Sequence, residues 1–379
     1  MTNLKLLLVI TKSEIGGAQV FVLNLAASLK KMGFDVEVAA GAGNYLFEEL
    51  KKNNIKYHYL NSLKRDFNVF RSFYFIFDIF RLLKENKYNI VHLNSSNTLI
   101  GALSAFWIKP RPKIVFTFHG LSFLDKNYEM NSLFRFLSKL YFKLFVNIVD
   151  ESVFVSKINY KESLQSSIVK KGRVIYNGLD ENNLQFLEQD NAVDYFSNLC
   201  HCDLKNSFLI GSTGRLAYQK NYDFLIRNFK LIKEKIPSSK IIIIGDGPNY
   251  DRYIKEINDL GIQNEFYLVG AIKESYKYIK AFDVFTLPSN YEGLSISLIE
   301  AVFAEIPILA SNVGGNIENV GGAEDQVFEL NNAYDYINKL SEIQKNKSHY
   351  IEFNKNLKKE FSLDQMVKEY INLYRSLFK

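Results

Sequence analysis

The sequence predicts an α/β protein with two doubly wound, Rossmann-like domains, and three observations support this fold class. Strand-like apolar runs alternate with helical stretches, an order typical of parallel sheets covered by helices. The alternation starts afresh near Ser207. The chain of 379 residues is longer than most single domains, which favours two domains of about 150 to 200 residues. We therefore expect two domains facing each other across a ligand-binding cleft.

The first domain is expected over residues 1–178. Its first strand, "LKLLLVI", is followed by the Gly16–Gly17 pair and a stretch whose apolar positions repeat with a helical period. Later runs of the same strand-like character are "DVEVAAG", "IKYHYL", "IVHLN", "KIVFTFHG" and "ESVFVS". Each is separated from the next by enough chain for a crossover connection, so we expect a parallel sheet.

The second domain is expected over residues 179–361, after the Asn-Gly turn of "RVIYNGLDENNL". Its strand-like runs are "SFLIGSTGRL", "KIIIIGDGP", "EFYLVGAI", "DVFTLPS" and "IPILASNVGG". The last segment, 362–379, has an apolar stripe at helical spacing: Met366, Val367, Tyr370, Ile371, Tyr374 and Leu377. We expect this helix to pack back on the first domain.

Composition limits the class of protein. A hydrophobic content of 47% with 15% aromatic residues is enough for large cores. The two cysteines, Cys200 and Cys202, form a C-x-C pair that matches neither a zinc nor a redox motif, so we expect a reduced cytosolic chain without a metal site. The apolar run near the N-terminus is too short for a signal peptide core, and the run from Thr98 to Ile108 is too short to span a membrane.

Positive charge is concentrated in the first half of the chain. The net charge is +6, but residues 1–180 contain 25 Lys and Arg against 14 Asp and Glu, so the remainder is acidic. Two stretches in that half, 67–87 and 132–149, interleave aromatic and basic residues. Such helices can lie in an anionic membrane interface, or they can be core helices whose cations reach out to solvent. No RNA- or DNA-binding motif accompanies the charge, so we expect no nucleic-acid partner.

Three glycine-rich turns follow strand-like runs: "TKSEIGGAQ", "GSTGRLAYQKN" and "GDGPN". Glycine at the carboxyl end of a parallel strand lets backbone N–H groups approach a phosphate, although each turn can also be purely structural. None matches the dinucleotide-binding or P-loop motif, which disfavours a dehydrogenase or a P-loop NTPase. Arg215 and Lys220 in the second turn can converge on a diphosphate, or they can be two solvated cations.

Glu292 and Glu300 are the strongest candidates for residues that bind a polar ligand. Glu292 precedes Gly293, and Glu300 lies inside an apolar helical run, where a carboxylate needs a partner. A structural alternative exists for Glu300, because Ser297 and Glu300 fit the S-x-x-E capping box. His119, which follows a strand, can be either a ligand contact or a packing residue.

These motifs together resemble retaining GT-B glycosyltransferases of family 4. "EGLSISLIEA" is similar to their E-x7-E motif, with the flanks "DVFTLPSNYEG" and "IPILASNVGGNIENV". The "GRL" segment with Lys220, the "GDGP" turn, the "VIYNGLD" linker and the His119–Gly120 step follow the family order over nearly the whole chain. Ser295, Glu305 and Tyr176 depart from common family residues.

The resemblance implies a role for each matching position. Glu300 would bind the ribose hydroxyls of a nucleotide sugar, and Glu292 would contact the hydroxyls of the transferred sugar. Arg215 and Lys220 would neutralise the diphosphate leaving group, so no divalent metal and no other cofactor is expected. His119 would meet the donor sugar from the first domain. The donor-binding residues implied are Gly16, Gly17, Gly214, Arg215, Lys220, Gly245, Gly247, Glu292, Gly293, Leu294, Ser295 and Glu300; the catalytic ones are Glu292, His119, Arg215 and Lys220.

The sequence thus predicts a hexosyltransferase-type enzyme. The resemblance implies transfer with retention from a nucleotide sugar, a UDP-sugar in our prediction, to a cell-surface polysaccharide, lipopolysaccharide or lipid-linked glycan precursor. Attack on the face from which the diphosphate departs is favoured over a covalent intermediate on Glu292. A GT-B nucleotide-sugar epimerase and a non-catalytic nucleotide-sugar-binding protein are the alternatives. We expect a cytoplasmic protein, peripheral at the inner face of the cell membrane.

Overall fold

A computed structural model describes residues 4–64 and 68–378. The chain divides into two compact units. The first runs up to Gly178 and includes the residues from Leu363 onward, and the second is Leu179–Ser362. Each unit contains one parallel sheet with helices between its strands, so the predicted α/β class is confirmed.

The strands and helices follow the alternation expected from the sequence. The strands are β1 Lys5–Ile10, β2 Asp35–Ala40, β3 Lys56–Tyr59, β4 Ile90–Asn94, β5 Lys113–Phe118, β6 Glu151–Phe154, β7 Arg173–Val174, β8 Phe208–Thr213, β9 Ser239–Ile244, β10 Phe266–Leu268, β11 Val284–Leu287, β12 Ile308–Ser311 and β13 Val327–Phe328. The α-helices are α1 Gly17–Lys31, α2 Tyr45–Lys52, α3 Val69–Asn86, α4 Ser132–Val146, α5 Lys157–Gln165, α6 Gln189–Leu199, α7 Tyr222–Lys235, α8 Tyr250–Asp259, α9 Ile296–Phe303, α10 Asn316–Asn319, α11 Ala333–Lys345, α12 Lys347–Leu357 and α13 Leu363–Ser376. A 3-10 helical segment, Ser96–Trp107, follows β4.

The sheet of the first unit has the strand order β3-β2-β1-β4-β5-β6-β7. Its interior strand β1 is apolar from Leu6 to Ile10 because both of its faces are covered. Leu6, Leu8 and Ile10 join the core beneath α1 and α2, whereas Leu7 and Val9 join the core beneath α3 and the 3-10 segment.

The C-terminal helix α13 belongs to the first of these cores. Met366, Val367, Tyr370, Ile371 and Tyr374 pack there with residues of α1 and β1. Their spacing places them on one face of the helix, which is why the sequence carries an apolar stripe in this segment.

The sheet of the second unit has the order β10-β9-β8-β11-β12-β13. Its edge strand β13 has only two residues, which is too short to leave a periodic signal in the sequence. In both sheets the strand order reverses beside the first strand, between β1 and β4 and between β8 and β11. Ligands of doubly wound folds bind at the carboxyl ends of strands beside such a reversal.

Candidate functional site

Two loops meet at the reversal point of the second unit, one after β8 and one after β11. The Asn290 N–H donates to the Gln219 carbonyl at 2.8 Å, and the Gln219 side chain returns a hydrogen bond to the Tyr291 carbonyl at 3.3 Å. The Asn221 side chain donates to the Pro288 carbonyl at 3.1 Å. These contacts join two segments that are about 70 residues apart in the chain.

This junction brings the predicted residues Lys220 and Glu292 into direct contact. Lys220 Nζ lies 2.7 Å from Glu292 Oε1, and the two side chains are 15% and 7% exposed. Ser289 Oγ also donates to Oε1 at 2.7 Å, and Gln219 Nε2 donates to Oε2 at 3.3 Å. Both carboxylate oxygens are therefore satisfied, as a buried charge requires.

Gly314 closes the loop around Glu292 from the other side. A Cβ atom at Gly314 would stand 2.0 Å from the Glu292 carbonyl oxygen, and its φ of +48° is in the left-handed region. The Gly315 N–H donates to the Gly293 carbonyl at 2.8 Å. The glycine pair after β12 therefore allows a backbone contact that fixes the Glu292 loop.

The capping-box explanation for Glu300 is wrong. Helix α9 begins at Ile296 with Ser295 as its N-cap residue and no side-chain cap hydrogen bond. Ser297 therefore lies within the first turn, and its hydroxyl pairs with Ser295 Oγ at 3.0 Å. The helix starts two residues earlier than a cap at Ser297 requires, because Asn319 holds the Ser295 backbone through both its N–H and its carbonyl.

The same contacts engage the backbone N–H of Ser295, one of the predicted donor-binding residues. That N–H already donates to Asn319 Oδ1 at 3.0 Å. Leu294 and Ser295 are also both buried, each 5% exposed. Their positions in this structure suit loop packing better than direct phosphate contact.

Glu300 itself is half-buried on α9. Burial raises the pKa of its carboxyl group to about 7, and the nearby charge of Lys220 opposes this rise. The residues that the structure describes provide the Glu300 carboxyl group with no hydrogen-bond donor. The Lys220 charge therefore stabilises two carboxylates. That of Glu292 has hydrogen-bond donors, whereas that of Glu300 has none among the described residues. A perturbed carboxyl group of this kind is typical of a binding site.

Arg215 lies in the loop after β8 with its side chain exposed. Within residues 4–64 and 68–378, no carboxylate forms an ion pair with its guanidinium group. Its loop is packed against the "GDGP" turn, since a Cβ at Gly245 would be 1.9 Å from the Gly214 carbonyl oxygen and one at Gly247 would be 2.5 Å from that of Leu216. Backbone packing thus explains these two glycines without a ligand.

The first unit carries the remaining predicted residues at the carboxyl edge of its own sheet. His119 follows β5, and its ring lies 4.8 Å from the Phe21 ring on α1. Gly16 and Gly17 form the start of α1 and are at least partly exposed. His119 Nε2 lies 3.2 Å from Asn94 Oδ1, and burial lowers the pKa of His119 to about 4. The imidazole is therefore neutral at pH 7.

Sequence reasoning missed Ser289, Gln219 and Asn94. Ser289 and Asn94 are polar residues at or just after the carboxyl end of a buried strand, a signal that could have identified both. Gln219 gives no such signal, because its role depends on the contact between two distant loops.

Two family models match the chain. Glycosyltransferase Family 4 matches residues 15–183, and Glycosyl transferases group 1 matches residues 203–360. Together with the two parallel-sheet units, these matches define a glycosyltransferase of the GT-B fold. Within that class, the second unit matches the model described as Glycosyl transferases group 1, and the first unit matches the model described as Glycosyltransferase Family 4.

Named relatives agree with this class. An uncharacterized glycosyltransferase of Methanocaldococcus jannaschii is 33% identical over 175 residues, 46% of this chain and 42% of that relative. The UDP-Gal:alpha-D-GlcNAc-diphosphoundecaprenol alpha-1,3-galactosyltransferase of Escherichia coli is 26% identical over 344 residues, 88% of this chain and 86% of the relative. Other relatives are named as capsular polysaccharide and O-antigen biosynthesis glycosyltransferases.

A solved structure supports the fold. The crystal structure of Anabaena HepE in complex with UDP and glucose superposes with a TM-score of 0.81. The match covers 98% of this chain and 100% of that one at 17% identity. At that identity the likeness shows the fold alone.

Proposed function

We propose that this glycosyltransferase moves a sugar from a UDP-sugar, with retention, to a polysaccharide, lipopolysaccharide or lipid-linked glycan precursor. The observation that carries the proposal is the cluster at the reversal point of the second unit. There Lys220 interacts with Glu292 and Glu300, and the exposed Arg215 lies in the same loop. Relatives named for lipid-linked and O-antigen substrates support the acceptor class.

In this proposal, each charged side chain of the cluster binds a different group of the nucleotide-sugar donor. The Glu300 carboxylate accepts hydrogen bonds from the ribose hydroxyls, which provide the donors it lacks. Arg215 supplies a planar fork for the diphosphate. The Lys220 ammonium has three N–H donors, so the bond to Glu292 leaves others for a phosphate oxygen. These two cations stabilise the departing charge in the way a divalent ion would.

The contacts of Glu292 favour an anchoring role over a nucleophilic one. Its Oε1 accepts from Lys220 and Ser289, and its Oε2 accepts from Gln219. A carboxylate held by three donors is a poor nucleophile, because the lone pairs that would attack are already engaged in hydrogen bonds. We therefore propose that Glu292 orients the transferred sugar, and that the acceptor attacks on the face from which the diphosphate leaves.

The test is a donor screen followed by transfer assays. Thermal shifts of the full chain with UDP-, GDP- and ADP-sugars identify the donor, because a ligand that binds only the folded state raises the melting temperature. Transfer to a diphospholipid-linked sugar is then measured, and the anomeric configuration of the product is read by NMR. We expect a UDP-sugar shift and a product with retained configuration.

Matched variants connect this activity to the cluster. Glu292→Gln and Arg215→Ala should lower kcat/KM by at least 100-fold, whereas Arg227→Ala, which removes an exposed arginine on α7, should not. Unchanged turnover in Glu292→Gln and Arg215→Ala would refute the site. Epimerisation of the donor without an acceptor would favour the epimerase, and binding without any turnover would favour a non-catalytic protein.

The proposed place of action is the inner face of the cell membrane. No helix within the described residues is long and apolar enough to cross a bilayer. Instead, α3 exposes one aromatic face. Four aromatic side chains spaced three or four residues apart are each more than 60% exposed: Phe70, Phe73, Tyr74 and Phe77. Phe67, the first residue of the stretch 67–87, lies outside the described residues. An exposed aromatic face of this kind is typical of an interfacial helix.

Helix α4 carries a second exposed apolar face. Its large exposed side chains are Leu133, Phe134, Phe136, Leu137, Leu140 and Leu144. Both helices contact the 3-10 segment between them, through Ser104 Oγ to the Ile76 carbonyl and Tyr141 OH to the Ser96 carbonyl. That segment ends in Phe106 and Trp107, which are 56% and 63% exposed. The alternative that these two stretches are core helices therefore holds only for the faces of α3 and α4 that pack against the protein interior.

The cations around this surface favour an anionic bilayer over a neutral one. Lys139 and Lys143 on α4 are exposed, whereas Arg135 is occupied by the carbonyls of Phe123, Asp125 and Tyr128. Flotation with vesicles tests this, and we expect binding to phosphatidylglycerol-containing vesicles that Phe73→Ser with Phe136→Ser abolishes. Leu199→Ser, at an exposed leucine of the second unit, is the control. Equal flotation of all three proteins would contradict the proposal.

A further inference from the structure

Asn94 is a fully buried polar residue in the first unit, and none of the roles above involves it. It is the last residue of β4 and is paired in register with Thr117 on β5. From there its side chain reaches His119, two residues beyond Thr117 and just after the end of β5. The Asn94 amide is hydrogen-bonded on both of its sides, as most buried polar groups are at least once, so its two partners reveal its orientation.

The orientation of the Asn94 amide is fixed by the first of these partners. Its Nδ2 lies 3.1 Å from the His92 carbonyl oxygen, which can only accept, so the NH₂ group must face it. Its Oδ1 therefore faces His119 Nε2 at 3.2 Å. Since Oδ1 can only accept, Nε2 must carry the proton, and in a neutral imidazole Nδ1 is then an unprotonated acceptor.

Other contacts hold the His119 ring in this state. The Phe21 ring packs against it edge-on at 4.8 Å, and burial keeps the imidazole neutral by lowering its pKa to about 4. Among the described residues, none donates a hydrogen bond to Nδ1, and the residue is partly exposed. The free acceptor is thus available to a ligand.

We infer that Asn94 is a positioning residue that holds His119 as the Nε2–H tautomer, so that Nδ1 accepts a hydrogen bond from a hydroxyl group of a sugar ligand. The identity of the ligand rests on the proposed function, but the tautomer does not. Asn94 acts through His119 and needs no contact with the substrate.

The tautomer can be measured in the free protein without any substrate. The chain has five histidines, so a long-range ¹H–¹⁵N correlation spectrum of histidine-labelled protein is resolvable, and His119→Gln assigns the His119 signals. At pH 7.5 we expect His119 Nε2 at a protonated shift and Nδ1 at an unprotonated one. In Asn94→Leu, both shifts should move toward the values of a tautomer mixture. An Nδ1–H tautomer in the wild-type protein would overturn the inference, even if the variant fails to fold.

Kinetics then separate positioning from simple structural support. Asn94→Leu should lower kcat/KM by roughly 10- to 100-fold. Asn94→Asp keeps an oxygen acceptor facing Nε2 but turns its second oxygen toward the His92 carbonyl, so at pH 8 it should keep the Nε2–H tautomer and recover part of that loss. Asn147→Asp, at the exposed asparagine that follows α4, controls for the added charge. Equal losses in Asn94→Leu and Asn94→Asp, with the Nε2–H tautomer kept only in Asn94→Asp, would reduce Asn94 to a packing residue. Absence of transfer in the wild-type protein would instead refute the proposed function and leave the tautomer result standing.

Discussion

Replacing Glu300 with glutamine should stabilise the second unit at alkaline pH while it weakens donor binding. Burial raises the pKa of the Glu300 carboxyl group from 4.5 to about 7. Between these two values the folded state keeps a proton that the unfolded state has lost. The wild-type protein therefore loses stability as pH rises through this window, and the loss is complete above pH 7.

The size of the effect follows from the shift in pKa. At 1.36 kcal/mol per pKa unit, ionising Glu300 in the folded protein costs about 3 kcal/mol. Glutamine at this position carries no proton to lose, so the variant should not show this pH dependence. Relative to the wild type, Glu300→Gln should gain up to about 3 kcal/mol between pH 5 and pH 8.

Thermal and urea unfolding at pH 5 and pH 8 measure this difference. Glu352→Gln, at an exposed glutamate on α12 of the same unit, is the control and should change little. If the stability of Glu300→Gln relative to the wild type does not rise from pH 5 to pH 8, then the Glu300 carboxyl group is not held in a desolvated site.

Donor affinity should change in the opposite direction. Ribose hydroxyls donate to the ionised carboxylate, so wild-type affinity should fall as pH drops below about 7. Glu300→Gln should weaken UDP-sugar binding by roughly 10- to 100-fold, the value of hydrogen bonds to a charged group. Calorimetric titration at pH 6 and pH 8 measures both effects, and pH-independent affinity of the wild type would contradict the assigned ribose contact.

Further predictions concern the residues around Glu292. Arg215→Ala should change unfolding free energy by less than about 0.5 kcal/mol, because the side chain is exposed, even though it lowers kcat/KM; a large stability loss would mean that Arg215 is structural. Lys220→Met should destabilise the unit by about 3 kcal/mol because it leaves Glu292 buried and unpaired, and Lys220→Met with Glu292→Gln should recover part of this in urea unfolding. Gly314→Ala should cost about 1 to 3 kcal/mol, since its Cβ would meet the Glu292 carbonyl; wild-type stability would argue against that backbone contact. Transfer should persist in millimolar EDTA, and loss of activity that Mg²⁺ restores would show that a metal assists Arg215 and Lys220.

Local patterns in the sequence were sufficient for the fold. Apolar runs such as "LKLLLVI" and "KIIIIGDGP" form β1 and β9 because strands buried on both faces need uninterrupted apolar sequence. The spacing of Met366, Val367 and Tyr370 gives α13 a face that fits a core. The two-residue strand β13 could not be found in this way, since it is defined by its pairing with β12.

The sequence predicted which charged residues belong to the site, but not which of them form an ion pair. The motifs pointed to Lys220, Glu292 and Glu300, yet the salt bridge between the first two joins positions 72 residues apart. The capping-box alternative failed for the same reason. The start of α9 is set by Asn319, which binds the Ser295 backbone from 24 residues away.

The sequence by itself determined two doubly wound units and the carboxyl-end loops in which polar residues gather. It did so because periodicity, glycine turns and motif spacing are properties of neighbouring residues. Tertiary structure alone decided which carboxylate is paired, how the amide of Asn94 is oriented, and which faces of α3 and α4 are exposed. Charge state, tautomer and exposure depend on the atoms that surround a side chain, and in this protein those atoms come from distant parts of the chain.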